Sequence, residues 1–268
     1  MSAEAPQKIT VPFIRRMKER GEKVVMVTCY DEPSARLLDQ AGVDILFVGD
    51  SVGNNVLGYP TTIPVTMEDM LHHAKAVRRG VKRGLMLVDM PFMSFQVSAD
   101  DAMYNAGRFV KEAGAEAVKV EGGVPMAPTV ERMVAAGIPV MGHVGLTPQS
   151  LNIIGRYRMQ GKQPDDAERI LLDAKALAQA GAFAIVLELV PPLLAKRITE
   201  ECPIPTIGIA AGPHCDGQVQ VFHDLFGVNP EAHLKHVRRY AEVGQTIIEA
   251  ARNFSEDVRT GKFPESAN

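Results

Sequence analysis

Four carboxylates in this 268-residue chain stand where they could hold a cation and move a proton. Asp50 closes the run 44–50 (DILFVGD), Asp89 the run 85–89 (LMLVD), Glu121 the run 117–121 (AVKVE) and Glu188 the run 183–188 (FAIVLE). Each run is apolar until it stops at an acid. A carboxylate in mid-run would be costly to bury, whereas one at the end can reach a shared cavity. Oxygen donors gathered from several run ends suit a hard divalent cation such as Mg²⁺, which takes one or two carboxylates and keeps waters. Asp50 and Asp89 end consecutive runs, so as strand neighbours they would lie about 5 Å apart. At that spacing two carboxylates repel unless a proton or cation sits between them. The competing reading is that each aspartate caps its own loop or helix.

Lys119 and Glu121 are two apart in one run and share a face if that run is a strand. The lysine could bind a substrate carboxylate or form a Schiff base. An internal ion pair with Glu121 is the plainer alternative, and Glu121 could also orient the waters of a metal. Glu188 lies among Ile185, Val186, Leu187, Leu189 and Val190. An apolar setting disfavours its charge, which suits a general base near neutral pH; a helix N-cap ahead of Pro191-Pro192 is the alternative. His143, in GHVGLTPQS, could hydrogen-bond a substrate or an acid, or be structural. The remaining histidines, among them His233 and His236 three apart, show no useful metal-ligand spacing.

These groups need a scaffold that brings run ends together. Strand-like runs fall at 24–30, 45–49, 85–89, 117–121, 139–143, 182–189 and 206–210, with a weaker eighth at 218–223. Most are continuously apolar, as in parallel strands buried on both faces. Helical patterns alternate with them at 34–41, 67–80, 99–113, 127–136 and 165–180. Several end in Gly before the next strand, a helix-stop signal. An opening helix is expected over 10–20 and a closing one over 230–254. Eight strand–helix units predict an α/β fold, a (βα)8 TIM barrel with an N-terminal helix before the first strand. With no linker or low-complexity stretch, residues 1–268 read as one domain. In such a barrel the C-terminal strand ends carry ligands and catalytic groups.

Composition narrows the classes. Apolar residues make up 46%, and 29 basic against 32 acidic residues give a net charge of −3. No basic face argues for nucleic acid, and no run is long enough for a membrane span. The N-terminus lacks the features of a secretory signal. Cys29, Cys202 and Cys215 give an odd count without CxxC spacing, which argues for a reducing compartment. Cys29 reads as a small core residue. Neither GxGxxG nor GxxxxGK[ST] occurs, so common nucleotide sites are unsupported.

The motifs VVMVTCYD (24–31), VGDSVG (48–53), DMPF (89–92), VKVEGG (118–123), GHVGLTPQS (142–150) and LELV (187–190) make the chain resemble the ketopantoate hydroxymethyltransferase family over about its whole length. The resemblance implies a Mg²⁺-binding (βα)8 barrel. It also implies transfer of a hydroxymethyl group from 5,10-methylenetetrahydrofolate to 3-methyl-2-oxobutanoate, giving 2-dehydropantoate, in pantothenate biosynthesis. On the matching positions it implies Asp50 and Asp89 as metal carboxylates with Glu121 completing that sphere, Ser51 and Lys119 as substrate contacts, Glu188 as proton acceptor and His143 as a supporting polar group. It further implies a cytoplasmic homo-oligomer, commonly a decamer. Ala210 departs from the family's usual glycine and narrows the expected pocket beside the seventh strand. A Mg²⁺-dependent lyase or mutase of the phosphoenolpyruvate mutase type, and a Schiff-base aldolase using Lys119, are the rival enzyme readings.

Overall fold

The computed structural model describes residues 7–231 and 237–265. Eight parallel strands close into a barrel in sequence order: β1 (Val24–Thr28), β2 (Ile45–Val48), β3 (Leu85–Asp89), β4 (Ala117–Glu121), β5 (Val140–Gly145), β6 (Ala184–Glu188), β7 (Thr206–Ile209) and β8 (Gly217–Gln220). Every residue of β2, β3 and β4 is buried. That is why these runs are apolar apart from Lys119 and the terminal Asp89 and Glu121: one face lines the barrel and the other packs on helices. Met26, Ile45, Phe47, Leu87, Met141, Val186 and Ile207 belong to the interior core cluster. The opening helix, Val11–Glu19, contributes Ile14 and Met17 to that cluster.

The helices start and stop where local chemistry dictates. Met67–Gly80 opens on a capping box between Thr66 and Asp69. Ala99–Ala113 is capped by Ser98 and ends at Gly114, whose φ of 67° is the left-handed stop that glycine adopts without a Cβ penalty. Gly145 matters for a different reason. A Cβ there would stand 2.3 Å from the Glu188 carbonyl oxygen, so β5 can lie against β6 at this level only without a side chain.

Residue contacts divide the chain into two compact units, one ending at Val219 and one beginning at Gln220. The second holds a short helix, Phe222–Leu225, and the long helix Val243–Thr260. Two expectations are corrected here. The eighth strand is Gly217–Gln220, because residues 222 and 223 of the expected run belong to the helical turn Phe222–Leu225. The closing helix begins at Val243, not near 230. The Tyr240 and Val243 amides donate to Leu225 and Phe226 carbonyls, which draws that stretch away from helical pairing. Among the described residues no helix is long and apolar enough to cross a membrane.

Candidate active site

The four carboxylates lie at the C-terminal ends of β2, β3, β4 and β6. Asp89 and Glu121 are the last residues of β3 and β4, and Glu188 is the last of β6. Asp50 sits two residues past β2, in the turn that follows, so the second strand is shorter than the sequence suggests. Register explains the meetings. Asp89 is paired with Lys119 on β4, Glu121 with His143 on β5, and Gly145 with Glu188 on β6.

Lys119 is buried and forms a 2.8 Å ion pair with Oδ1 of Asp89. Its partner is therefore Asp89 across the sheet, not Glu121 along the strand. Its Nζ also lies 3.1 Å from Nδ1 of His143 and 5.3 Å from the centre of the Phe47 ring. Burial pushes the Lys119 pKa down, but Asp89, Glu121 and Asp50 outweigh it and raise it above the ordinary value. A lysine so firmly protonated is a cationic binding group and a poor amine nucleophile, which disfavours the Schiff-base reading.

His143 joins two acids. Its Nδ1 is 3.5 Å from Glu121 Oε1 and its Nε2 is 3.3 Å from Glu188 Oε2. Burial and the Lys119 charge lower its proton affinity; Glu121 and Glu188 more than offset both and lift its pKa to about 9. Protonated, the ring carries a hydrogen on each nitrogen. Neutral, with Nδ1 accepting from Lys119, it keeps its hydrogen on Nε2. In both forms an N–H faces Glu188. That partner makes the surroundings of Glu188 more polar than its apolar sequence neighbours suggest, and its side chain is 17% exposed to the mouth.

The acids outnumber the one lysine among them. Burial raises the pKa of Asp50 well above the carboxylate range, and Asp89 and Glu121 raise it further. Burial also raises that of Asp89, against the opposing charge of Lys119. The Asp50 amide donates to Asp89 Oδ2 at 3.0 Å, while Asp89 Oδ1 faces the Lys119 ammonium. Three buried carboxylates around one lysine leave negative charge in excess, which fits a divalent cation that brings its own waters. Among the described residues no three His, Cys, Asp or Glu side chains are placed to hold a metal together. A cation there would meet Asp50 and Asp89 as its protein donors. Glu121 is engaged elsewhere, accepting from the Gln149 amide at 3.0 Å and facing His143.

Ser51 is held by the Tyr30 hydroxyl at 2.8 Å. Tyr30 and Gln149 were not singled out as site residues in the sequence, although both stand inside quoted motifs. Gln149 lies in a single helical turn, Pro148–Ser150, beyond β5 and is buried. Its Nε2 donates to Asp50 Oδ2 at 2.9 Å and to the Met90 carbonyl at 3.0 Å, and its Oε1 accepts from Gln96 at 3.0 Å. Tyr157, half-exposed, stands close enough to the acids to sense them: burial and the charges of Glu188, Asp50 and Glu121 raise its hydroxyl pKa. Cys29 is a buried free thiol whose pKa burial raises, consistent with a core residue. Cys202 and Cys215 are also buried and free. His73 bonds the Tyr30 carbonyl; His233 and His236 lie outside the described residues.

Comparison with known proteins adds the family. A family model described as ketopantoate hydroxymethyltransferase matches residues 8–266. The 3-methyl-2-oxobutanoate hydroxymethyltransferase of Carboxydothermus hydrogenoformans is 57% identical over 258 residues, covering 96% of this chain and 94% of that protein. The protein of the same name from Thermotoga neapolitana is 54% identical over 256 residues, covering 96% and 94%. Among solved structures, a phosphonopyruvate hydrolase complex with oxalate and Mg++ aligns with a TM-score of 0.62 at 14% identity, over 96% of this chain and 91% of the other. A 2,3-dimethylmalate lyase aligns with a TM-score of 0.62 at 16% identity, over 98% and 92%. At such identities the structural likeness shows the barrel fold alone.

Proposed function

The chain belongs to the ketopantoate hydroxymethyltransferase family, and from that premise we propose how its mouth residues divide the work. The reaction is the hydroxymethylation of 3-methyl-2-oxobutanoate, the first step of pantothenate biosynthesis. The proposed one-carbon donor is 5,10-methylenetetrahydrofolate. The proposed cofactor is Mg²⁺ held by Asp50 and Asp89. Such an ion, when bound, offsets negative charge that develops on the keto oxygen as the substrate loses its C3 proton.

Lys119 carries a fixed positive charge at the same level as Asp89 and receives the substrate's acidic end. Ser51, oriented by Tyr30, offers a hydroxyl beside Asp50. Glu188 stands on a different strand from the metal pair and takes the proton from C3. His143 Nε2, 3.3 Å from Glu188 Oε2, faces that carboxylate from β5. Water first releases the donor's one-carbon unit at the formaldehyde level, freeing tetrahydrofolate; the C3 enolate carbon adds to that carbonyl, and the resulting alkoxide takes a proton to become the new hydroxyl. Glu121 supports the centre through Gln149 and His143. Assembly into a cytoplasmic homodecamer completes the proposal.

The observation that carries this reading is the meeting of two groups across β4 and β5: the Asp50–Asp89–Lys119 cluster on β2 to β4, and the Glu188–His143 pair 3.3 Å apart on β6 and β5, with Lys119 3.1 Å from His143. Two measurements test it. Product formation from the keto acid and methylenetetrahydrofolate should need Mg²⁺ and stop in EDTA; turnover after thorough metal removal would break the role of the aspartates. Deuterium exchange at C3 should fall by about 10²- to 10⁴-fold in Glu188→Gln, and exchange at the wild-type rate would remove Glu188 as the base.

A further inference from the structure

Gln149 bears no charge, yet it ties together the ends of three strands. Its side-chain amide bridges Asp50, beyond β2, and the Met90 carbonyl, beyond β3. Its backbone amide donates to Glu121 at the end of β4. A glutamine amide offers two N–H groups and one oxygen. Here both donors are used, and Oε1 accepts from Gln96. The orientation is forced: a flipped amide would aim its oxygen at a carboxylate oxygen and a carbonyl oxygen. Asp50 is thereby held through one oxygen, Oδ2.

We propose that Gln149 is the positioning residue of the cation site: its amide fixes the Asp50 carboxylate so that one chosen oxygen is presented beside Asp89. The inference rests on the two-carboxylate reading above. Asp89 is oriented in a matching way, with Oδ2 on the Asp50 amide and Oδ1 on Lys119. Each metal carboxylate therefore has a dedicated donor, and Gln149 is the one that serves Asp50. A glutamine needed only to pin its loop could rely on the Met90 carbonyl and Gln96; the bond to an acid of the cation pair is what sets this one apart. Partners of this kind typically account for about 10- to 100-fold in metal affinity.

The test is calorimetric titration of the full-length protein with MgCl₂, alongside the Mg²⁺ dependence of turnover, with folding checked by circular dichroism. Gln149→Met keeps the shape and removes the hydrogen bonds. It should weaken the Mg²⁺ Kd by about 10- to 100-fold, with turnover recovered to within roughly threefold of wild type at saturating metal. Gln149→Asn, one methylene shorter, should fall between the two, and it decides the matter alone if the methionine variant does not fold. An unchanged Kd in folded variants, or a turnover loss that added metal does not restore, would overturn the inference while leaving the metal reading standing. Wild-type protein that binds no Mg²⁺ and turns over in EDTA would overturn both.

Discussion

Both ends of this barrel bury charged groups, and they treat them differently. At the floor, Asp216 Oδ2 accepts from Lys18 at 2.8 Å and from the Thr206 amide at 2.9 Å. Glu116 takes Lys8 at 2.8 Å and the Met86 amide at 2.9 Å. Asp39 accepts from the Arg83 and Gly84 amides. At the mouth, Asp50, Asp89 and Glu121 crowd around a single lysine, and His143 Nε2 lacks a hydrogen bond. Backbone strain follows the same divide. Met93, Leu189 and Ala210, the positive-φ residues other than glycine among the described residues, all follow C-terminal strand ends. The floor is matched for stability; the mouth is left unbalanced, as the proposed site for a cation and a keto acid requires.

Breaking the contrast should show largest at the mouth. Asp50→Asn should abolish metal-dependent turnover, yet raise the stability of the metal-free protein by on the order of 1 kcal/mol, because it removes one of the repelling charges. Product assays and thermal melts in EDTA read the two effects. A metal-free variant less stable than wild type would mean that the mouth acids stabilise the fold as the floor acids do. Asp216→Ala should do the opposite. It removes the acceptor of the Thr206 amide and leaves Lys18 only the Thr199 carbonyl, and should cost about 2–3 kcal/mol in urea unfolding, with the KM for the keto acid unchanged in the folded enzyme. A shifted KM would erase the division between the two ends. The smallest effect belongs to Ala210→Gly. With φ at 52°, alanine pays a left-handed penalty that glycine avoids, so a gain of about 0.5–1 kcal/mol is expected by denaturant titration. A loss would show that the methyl packs usefully beside the mouth.

How much of this was legible beforehand depended on whether a residue's role is local. The runs ending at Asp89 and Glu121 match β3 and β4 residue for residue, because a buried strand must be apolar and must expel its charge at the end. Helix Met67–Gly80 was equally plain, since Thr66 and Asp69 cap it from within four residues. Asp50 as a site member was readable, but its place beyond β2 was not, since Gly49 and Asp50 extend an apolar run without joining the ladder. Lys119 has Glu121 as its nearest acid in sequence and Asp89 as its ion-pair partner in space, a consequence of strand register that periodicity does not encode. Gln149 gave no signal of its own: a neutral residue in a loop acquires meaning only when Asp50, 99 positions away, comes within hydrogen-bond distance.

The bond between Lys18 and Asp216 spans 198 positions, and it sets a schedule for the newborn chain. The strands that carry the chemistry leave the ribosome early, but the ring cannot shut until β8 arrives and the Val24 amide finds the Asp216 carbonyl. Until then β1 and β7 are open edges, the form in which sheets recruit strangers. Nearly the whole polypeptide must therefore be made before its floor is locked. A ribosome pausing ahead of residue 216 would hold an exposed half-ring, which makes this late stretch the point where chaperone help would matter most.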